Sequence, residues 1–324
     1  MAEHNLTAVE IIKGALAQDL LSGRITLVLG WVKGHYWWQS RPFFAENEQD
    51  LRHLAWDSFC AVNLSRYLPE ELNRYQKVGL LLKGCDARAL NRLVQDKAVP
   101  RERVVAYGLP CPGMLNFDRL VEAFGGYPSG IIEEDGQVQI LGEGVRIAVS
   151  REEMLQEKCR GCFSPNPVTC DQLLLPPVTG IANPGRFRAV EQLERLSFDM
   201  RYSYWSDQME RCLRCYACRR ICPCCSCRSC FVEREQPRWL SKSFNKSEKF
   251  LFHLIRAYHG AGRCIDCGEC ARACPVGISL QELNRKLIKD LNELYGPYEA
   301  GLDPDQTLPL LTYKAGDPAA FSEK

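Results

Sequence analysis

Apolar positions in the first 110 residues fall into short continuous runs separated by helix-like stretches. Arg24-Ile-Thr-Leu-Val-Leu, Val78-Gly-Leu-Leu-Leu and Arg103-Val-Val-Ala-Tyr are apolar or β-branched runs bounded by glycine or charge, which predicts strands. Between the second and third, Asp86 stands as the expected N-cap of a helix that keeps Leu90, Leu93 and Val94 on one face. Strand, helix, strand is a βαβ unit with two parallel strands. Further on, Gln137–Leu141 and Val145–Val149 flank Gly142-Glu143-Gly144 and read as a β-hairpin. Pro165, Pro167, Pro176, Pro177 and Pro184 then interrupt any regular pattern and mark a junction.

Beyond the junction the period is helical. Leu251, Leu254, Ile255 and Tyr258 follow Ser247 at i, i+3, i+4, i+7 spacing. Ser279 and Glu282 predict a capping box ahead of Leu280, Leu283, Leu287, Leu291 and Leu294, and Gly296-Pro297 stops that helix. The expected organisation is an α/β domain over 1–175, a linker with a helix over 176–204, an all-α domain over 205–296 and an extended tail over 297–324. The tail's Leu308-Pro-Leu-Leu-Thr-Tyr is expected to lie on a surface or a partner.

The composition, 46% hydrophobic and 25% charged over 324 residues, is that of a globular protein. A net charge of +1 argues against a general nucleic-acid binder. No run approaches the roughly 18 apolar residues of a membrane span, and Met1-Ala2-Glu3-His4 does not open a signal peptide. A cytoplasmic location is expected. In that reducing setting the 18 cysteines point to metal binding rather than to disulfides.

Cys212, Cys215, Cys218 and Cys222-Pro223 have the spacing C-x2-C-x2-C-x3-C-P, and Cys264, Cys267, Cys270 and Cys274-Pro275 repeat it. Two-residue gaps bring three thiolates from one loop to one cubane, and the fourth cysteine ligates the partner cluster. One [4Fe–4S] cluster is therefore assigned to Cys212, Cys215, Cys218 and Cys274, the other to Cys264, Cys267, Cys270 and Cys222. Structural zinc also uses C-x2-C pairs, but has no use for a third x2-spaced cysteine followed by Cys-Pro, twice. Cys224, Cys225, Cys227 and Cys230 follow the first motif. With Cys225, Cys227 and Cys230 as the candidate ligands, they are read either as a further iron–sulfur or other metal site or as thiols without metal.

In the α/β half, Cys85 follows one predicted strand and opens a helix, and Cys111 follows the next strand. Parallel neighbours place both at the carboxyl edge of the sheet, where α/β proteins bind ligands. Cys159 and Cys162 complete a candidate third cluster; the bland alternative is that Cys85 and Cys111 are buried small hydrophobes. Cys60 and Cys170 fit no pattern. Trp37-Trp38 reads either as core or as a stacking surface for a flavin. His253 and His259 read as ordinary histidines or as hydrogen-bonding neighbours of a cluster. Arg211, Arg214, Arg219, Arg220 and Arg228 either offset cluster charge or form a docking face.

The 205–296 segment resembles the α-helical ferredoxin module of succinate dehydrogenase iron–sulfur subunits and of the small heterodisulfide reductase subunit. Lys83-Gly-Cys-Asp-Ala-Arg-Ala, Gly108-Leu-Pro-Cys-Pro-Gly-Met, Lys158-Cys-Arg-Gly-Cys and Arg214-Cys-Tyr-Ala-Cys-Arg together resemble the beta subunits of deazaflavin (coenzyme F420) hydrogenases and formate dehydrogenases. The fold class implied is an α/β N-terminal domain with a mostly parallel, βαβ-containing sheet, followed by an all-α ferredoxin-type domain. The resemblance also implies an electron-transfer subunit docked on a catalytic oxidoreductase subunit, with FAD in the α/β domain. Lys83, a lone lysine after a strand, reads either as a solvated side chain or as a contact to flavin phosphate. Two rivals are a flavoenzyme acting on NAD(P)H or a deazaflavin, and a non-redox metal-binding interaction protein. The sequence contains no G-x-G-x-x-G fingerprint.

Overall fold

The computed structural model describes residues 2–179, 185–241 and 243–312, with side chains from position 8 onward. Residues 180–184 of the expected linker, Pro184 among them, and 313–324 of the expected tail, with Tyr313, lie outside the described residues. The chain divides into two compact units, Met1–Ala87 with Val99–Asn183 and Arg88–Ala98 with Pro184–Lys324.

The first unit is α/β. Its larger sheet contains β1 (Leu27–Lys33), β2 (Ser40–Ala45), β3 (Leu54–Ala55), β4 (Val78–Leu82), β5 (Val104–Gly108) and β9 (Gln172–Leu173), in the order β2-β1-β4-β5-β9 with β3 also on β1. β1, β4, β5 and β9 run parallel, and β2 and β3 pair antiparallel with β1. Every residue of β4 and β5 is buried, the signature of parallel strands covered on both faces. β6 (Gly130–Glu134), β7 (Gln137–Gly142) and β8 (Val145–Ser150) form a separate antiparallel meander that contains the predicted hairpin.

The helix between β4 and β5 spans Gly84–Gln95, so it starts ahead of the expected cap. Asp86 lies inside its first turn and accepts from the backbone N–H groups of Leu64 and Lys83. The Ala2–Leu21 helix has no counterpart among the predicted elements. It buries Ile12 and Leu16, but also Asp19, which accepts from the Tyr107 hydroxyl and pairs with Arg24 at 3.0 Å. A carboxylate on the buried face blunts the apolar period that would announce a helix.

The second unit is helical apart from its cysteine loops. Its longer helices are Phe198–Glu210, Lys246–His259 and Leu280–Tyr295. Asn245 caps the middle one, accepting from Glu248 N at 2.9 Å. The box expected at Ser279 does not form: Glu282 instead accepts from the Tyr204 hydroxyl at 2.8 Å. Tyr298, Ala300 and Leu308 are buried against Ala89, Cys224 and Ile265, while Leu310 and Leu311 are exposed.

Candidate metal centres

Both ferredoxin motifs fold into the same loop. Arg214 and Tyr216 have φ of +50° and +59°; Asp266 and Gly268, at the equivalent positions, have +56° and +64°. Alternating left-handed residues turn successive backbone N–H groups inward, a concavity suited to anions. Arg214 N–H donates to Cys212 Sγ at 3.3 Å, and Ile278 N–H to Cys274 Sγ at 3.4 Å.

The strained positions are held from outside. The Arg214 guanidinium donates to Ser241 O at 3.0 Å and to the Tyr216 hydroxyl. Asp266 is buried and accepts from Arg186 at 2.7 Å, Arg285 at 2.9 Å and Gln281 at 2.8 Å.

Thiols of the two motifs act on one another electrostatically. Burial raises the pKa of Cys212, with Cys274 and Cys215 adding to it. Burial likewise pushes Cys218 up to about 12, with Cys270, Cys212 and Cys274 contributing. Cys264 is pushed up to about 12 by burial, Asp266, Cys270 and Cys222. Burial and Cys222 both raise Cys267. Cys274 of the second motif thus acts on the first loop, and Cys222 of the first motif on the second loop. Cys222 has its own pKa lowered by hydrogen bonds from the Cys224 and Cys225 thiols.

Free thiols in two loops with N–H groups directed at sulfur fit a pair of [4Fe–4S] clusters, which require thiolate ligands hydrogen-bonded by backbone. Cys215 is exposed, as is Leu213 beside it, so the first loop reaches the surface.

The α/β unit brings together Cys85, Cys111, Cys159 and Cys162. β4 and β5 are in register with Leu82 opposite Gly108, so Cys85 and Cys111 leave neighbouring strand ends. The segment after Cys162 joins them: Cys111 N–H donates to Pro165 O at 2.9 Å, and a Cβ on Gly84 would lie 1.9 Å from Ser164 O. Met114 N–H donates to Cys159 Sγ at 3.3 Å. Burial and then Cys159 push Cys111 up to about 12, and burial, Asp86 and Cys162 raise Cys85.

Other candidates are placed differently from expectation. Lys83 is buried: its ammonium meets Asp86 at 3.0 Å, Val62 O at 3.0 Å and the Trp31 ring at 3.9 Å. Engaged on all these sides, it is a structural cation rather than a contact for flavin phosphate. Cys225 lies against Cys222, and Cys227 is exposed. Among the described residues no three His, Cys, Asp or Glu are gathered to hold a single metal ion. Cys60 is a buried thiol directed at Ala55 O, and Cys170 packs on Gly108.

Trp38 is stacked between Tyr36 and Phe117, and Trp37 donates to Pro128 O, so both belong to the aromatic packing. Of the arginines around the first motif, Arg219 pairs with Glu233 and Arg211 with Gln208. Arg256 went unnoticed in the sequence, yet it is buried and donates to Cys218 O at 3.1 Å. His253 Nε2 lies 3.2 Å from Cys212 Sγ, whereas His259 packs edge-on against Phe231.

A match to the 4Fe-4S dicluster domain family covers residues 186–278. This segment is a 4Fe-4S dicluster domain. The whole chain is similar to the F420-dependent formate dehydrogenase subunit beta of Methanocaldococcus jannaschii, 23% identical over 93% of both chains. The resemblance drawn from the cysteine motifs therefore holds. Among solved structures it is similar to a chain of the F420-reducing [NiFe] hydrogenase complex from Methanosarcina barkeri. That match has a TM-score of 0.39 and 17% identity, covering 48% of this chain and 59% of the other.

The FAD that the resemblance implies would need room and positive charge in the α/β unit. A cleft of about 240 Å³ beside Pro112 is rimmed by Asp57, Glu133, Glu134, Asp135 and Arg151. Arg151 is already bound to Glu133, Pro112 O and Gly113 O. Carboxylates would repel a pyrophosphate, and Lys83 is enclosed; these residues do not fit FAD. No helix among the described residues is long and apolar enough to cross a membrane.

Proposed function

We propose that this chain is the electron-transfer subunit of an anaerobic oxidoreductase complex. It would relay single electrons between a catalytic subunit resembling a formate dehydrogenase, hydrogenase or heterodisulfide reductase and an acceptor, in the cytoplasm. The observation that carries this reading is the pair of four-cysteine loops with matching backbone, within a segment that matches the dicluster domain. A [4Fe–4S] cluster supplies one-electron transfer with no bond made or broken. The protein's part is to fix the thiolates, direct N–H groups at their sulfurs and exclude water from all but one edge.

Cys85, Cys111, Cys159 and Cys162 are proposed to hold a third cluster in the α/β unit. The docking surface for the catalytic subunit is proposed to lie over the first loop. There a cavity of about 340 Å³ is lined by Phe198, Tyr202, Trp205 and Phe250, and Phe198, Met200 and Tyr202 are exposed. Trp205 and Phe250 pack directly on the cluster of buried residues that includes Cys212 and Cys218. A partner covering this apolar face would stand over the buried residues packed around Cys212 and Cys218. The relative named a subunit beta makes a catalytic subunit the occupant of choice.

The test is anaerobic purification of the chain with its bound partners, followed by a visible spectrum, iron and sulfide analysis and dye-reduction assays. Iron with sulfide, a co-purifying catalytic subunit and an inert isolated chain are expected. Flavin bands, with unaided oxidation of NADH or reduced deazaflavin at enzyme-like rates, would replace the relay by the flavoenzyme. Zinc without sulfide would leave a non-redox metal-binding protein.

A further inference from the structure

The Lys246–His259 helix buries Lys249, Phe252, His253 and Arg256, which lie at i, i+3, i+4 and i+7 on one face. Such a face is ordinarily apolar. Here three of the four side chains carry nitrogen, and all three reach the cysteine loops or the helix leading into them. Lys249 Nζ donates to Glu210 O at 2.9 Å, His253 Nε2 meets Cys212 Sγ at 3.2 Å, and Arg256 Nη2 donates to Cys218 O at 3.1 Å.

Arg256 is the unusual member. Taking a cation out of water costs several kcal/mol unless opposite charge answers it. Its side chain is buried, and its Nε–H has no acceptor among the described residues. Burial opposes its charge, but Cys270, Cys222, Cys225 and Cys218 more than compensate and hold its pKa well above the usual value. Cys218 belongs to one proposed ligand set; Cys270 and Cys222 belong to the other. Beside its bond to Cys218 O, the guanidinium is hydrogen-bonded to the Cys270 thiol, so it touches both sets, whereas His253 meets Cys212.

We propose that Arg256 is a positioning residue shared by the two cysteine sets, raising the reduction potentials of both clusters together, while His253 raises only that of the Cys212 set. The proposal rests on the dicluster reading. Positive charge and hydrogen bonds at the sulfurs stabilise the reduced, more negative form of a cluster. A fixed guanidinium touching both sets shifts both potentials in the same direction and leaves the gap between them little changed, which suits a relay.

The experiment is an EPR-monitored redox titration of the full chain in its complex, with iron and sulfide measured on each sample. Arg256→Gln is expected to lower both midpoint potentials, Arg256→Lys to lower both by less, and His253→Leu to lower one. The midpoint that moves in His253→Leu should belong to the signal lost in Cys212→Ser. Arg256 variants that keep iron but shift only one midpoint, or neither, would overturn the proposal. If Arg256→Gln loses iron, Arg256→Lys decides by the same criterion. A wild-type chain lacking iron and sulfide would overturn the dicluster reading itself, and the proposal with it.

Discussion

Tyr216 takes, at φ +59°, the left-handed backbone that Gly268 takes at φ +64° in the second cysteine loop. A side chain there costs roughly 1–2 kcal/mol, which glycine avoids. Tyr216 offsets the strain through its neighbours: its ring packs edge-on against Phe252 at 5.1 Å, and Arg214 Nη2 donates to its hydroxyl at 3.0 Å. Gly268→Val has no such compensation. It is expected to lower stability by about 1–2 kcal/mol and to reduce iron occupancy of the Cys264 set, read by thermal unfolding and iron content.

The crossed ligation expected from the motif spacing makes Cys274 a test. The domain should hold about eight irons. Cys274→Ser is expected to weaken the same EPR signal as Cys215→Ser, despite lying in the other motif. If it behaved like Cys267→Ser instead, each motif would serve its own cluster.

Cys85→Ser and Cys111→Ser, each in the full chain, are expected to remove about four irons and leave the signals of the dicluster domain unchanged. Iron content equal to wild type in both variants would leave these cysteines as packing residues.

Removing Lys83 should act on stability rather than on any flavin. Lys83 and Asp86 form a pair with side chains only 2% and 0% exposed. Lys83→Met strands a buried carboxylate, and breaking such a pair costs about 3–5 kcal/mol. The expected outcome is a large fall in melting temperature; an unchanged melting temperature would argue that Asp86 finds another partner.

Much of this arrangement could be read from residue spacing. Two parallel strands, the hairpin, both ferredoxin motifs and the pairing of Cys85 with Cys111 at one sheet edge all depend on near neighbours in sequence. What escaped depends on distant ones. Arg256 acquires its role from Cys218, 38 residues earlier, and the choice between the two readings of His253 turns on Cys212, 41 residues earlier, so no local pattern decides either. Glu282 was misread for the same reason: Tyr204, 78 residues away, takes its carboxylate from the expected capping box. Lys83 looked solvated because the aromatic ring it lies on, that of Trp31, belongs to a different strand.

A chain ended after Gly296 would lose Tyr298, Ala300 and Leu308, which are buried against Cys224 and Ile265, beside Cys222 and Cys267. That truncation is expected to release iron from the Cys264 set before the Cys212 set. Iron loss during mild heating, followed by EPR, checks the order.

The helical unit includes residues contributed from the other half of the chain. Arg88 donates to Ala300 O at 3.0 Å and Asn91 to Gly301 O at 3.0 Å, across 212 and 210 positions. A gene fragment beginning after the proline-rich junction would encode every dicluster cysteine yet omit the helix segment that anchors this stretch. Grafting that fragment onto another enzyme as a ready-made electron module would leave the anchor behind, whereas a graft that also carries Arg88–Ala98 would bring it along.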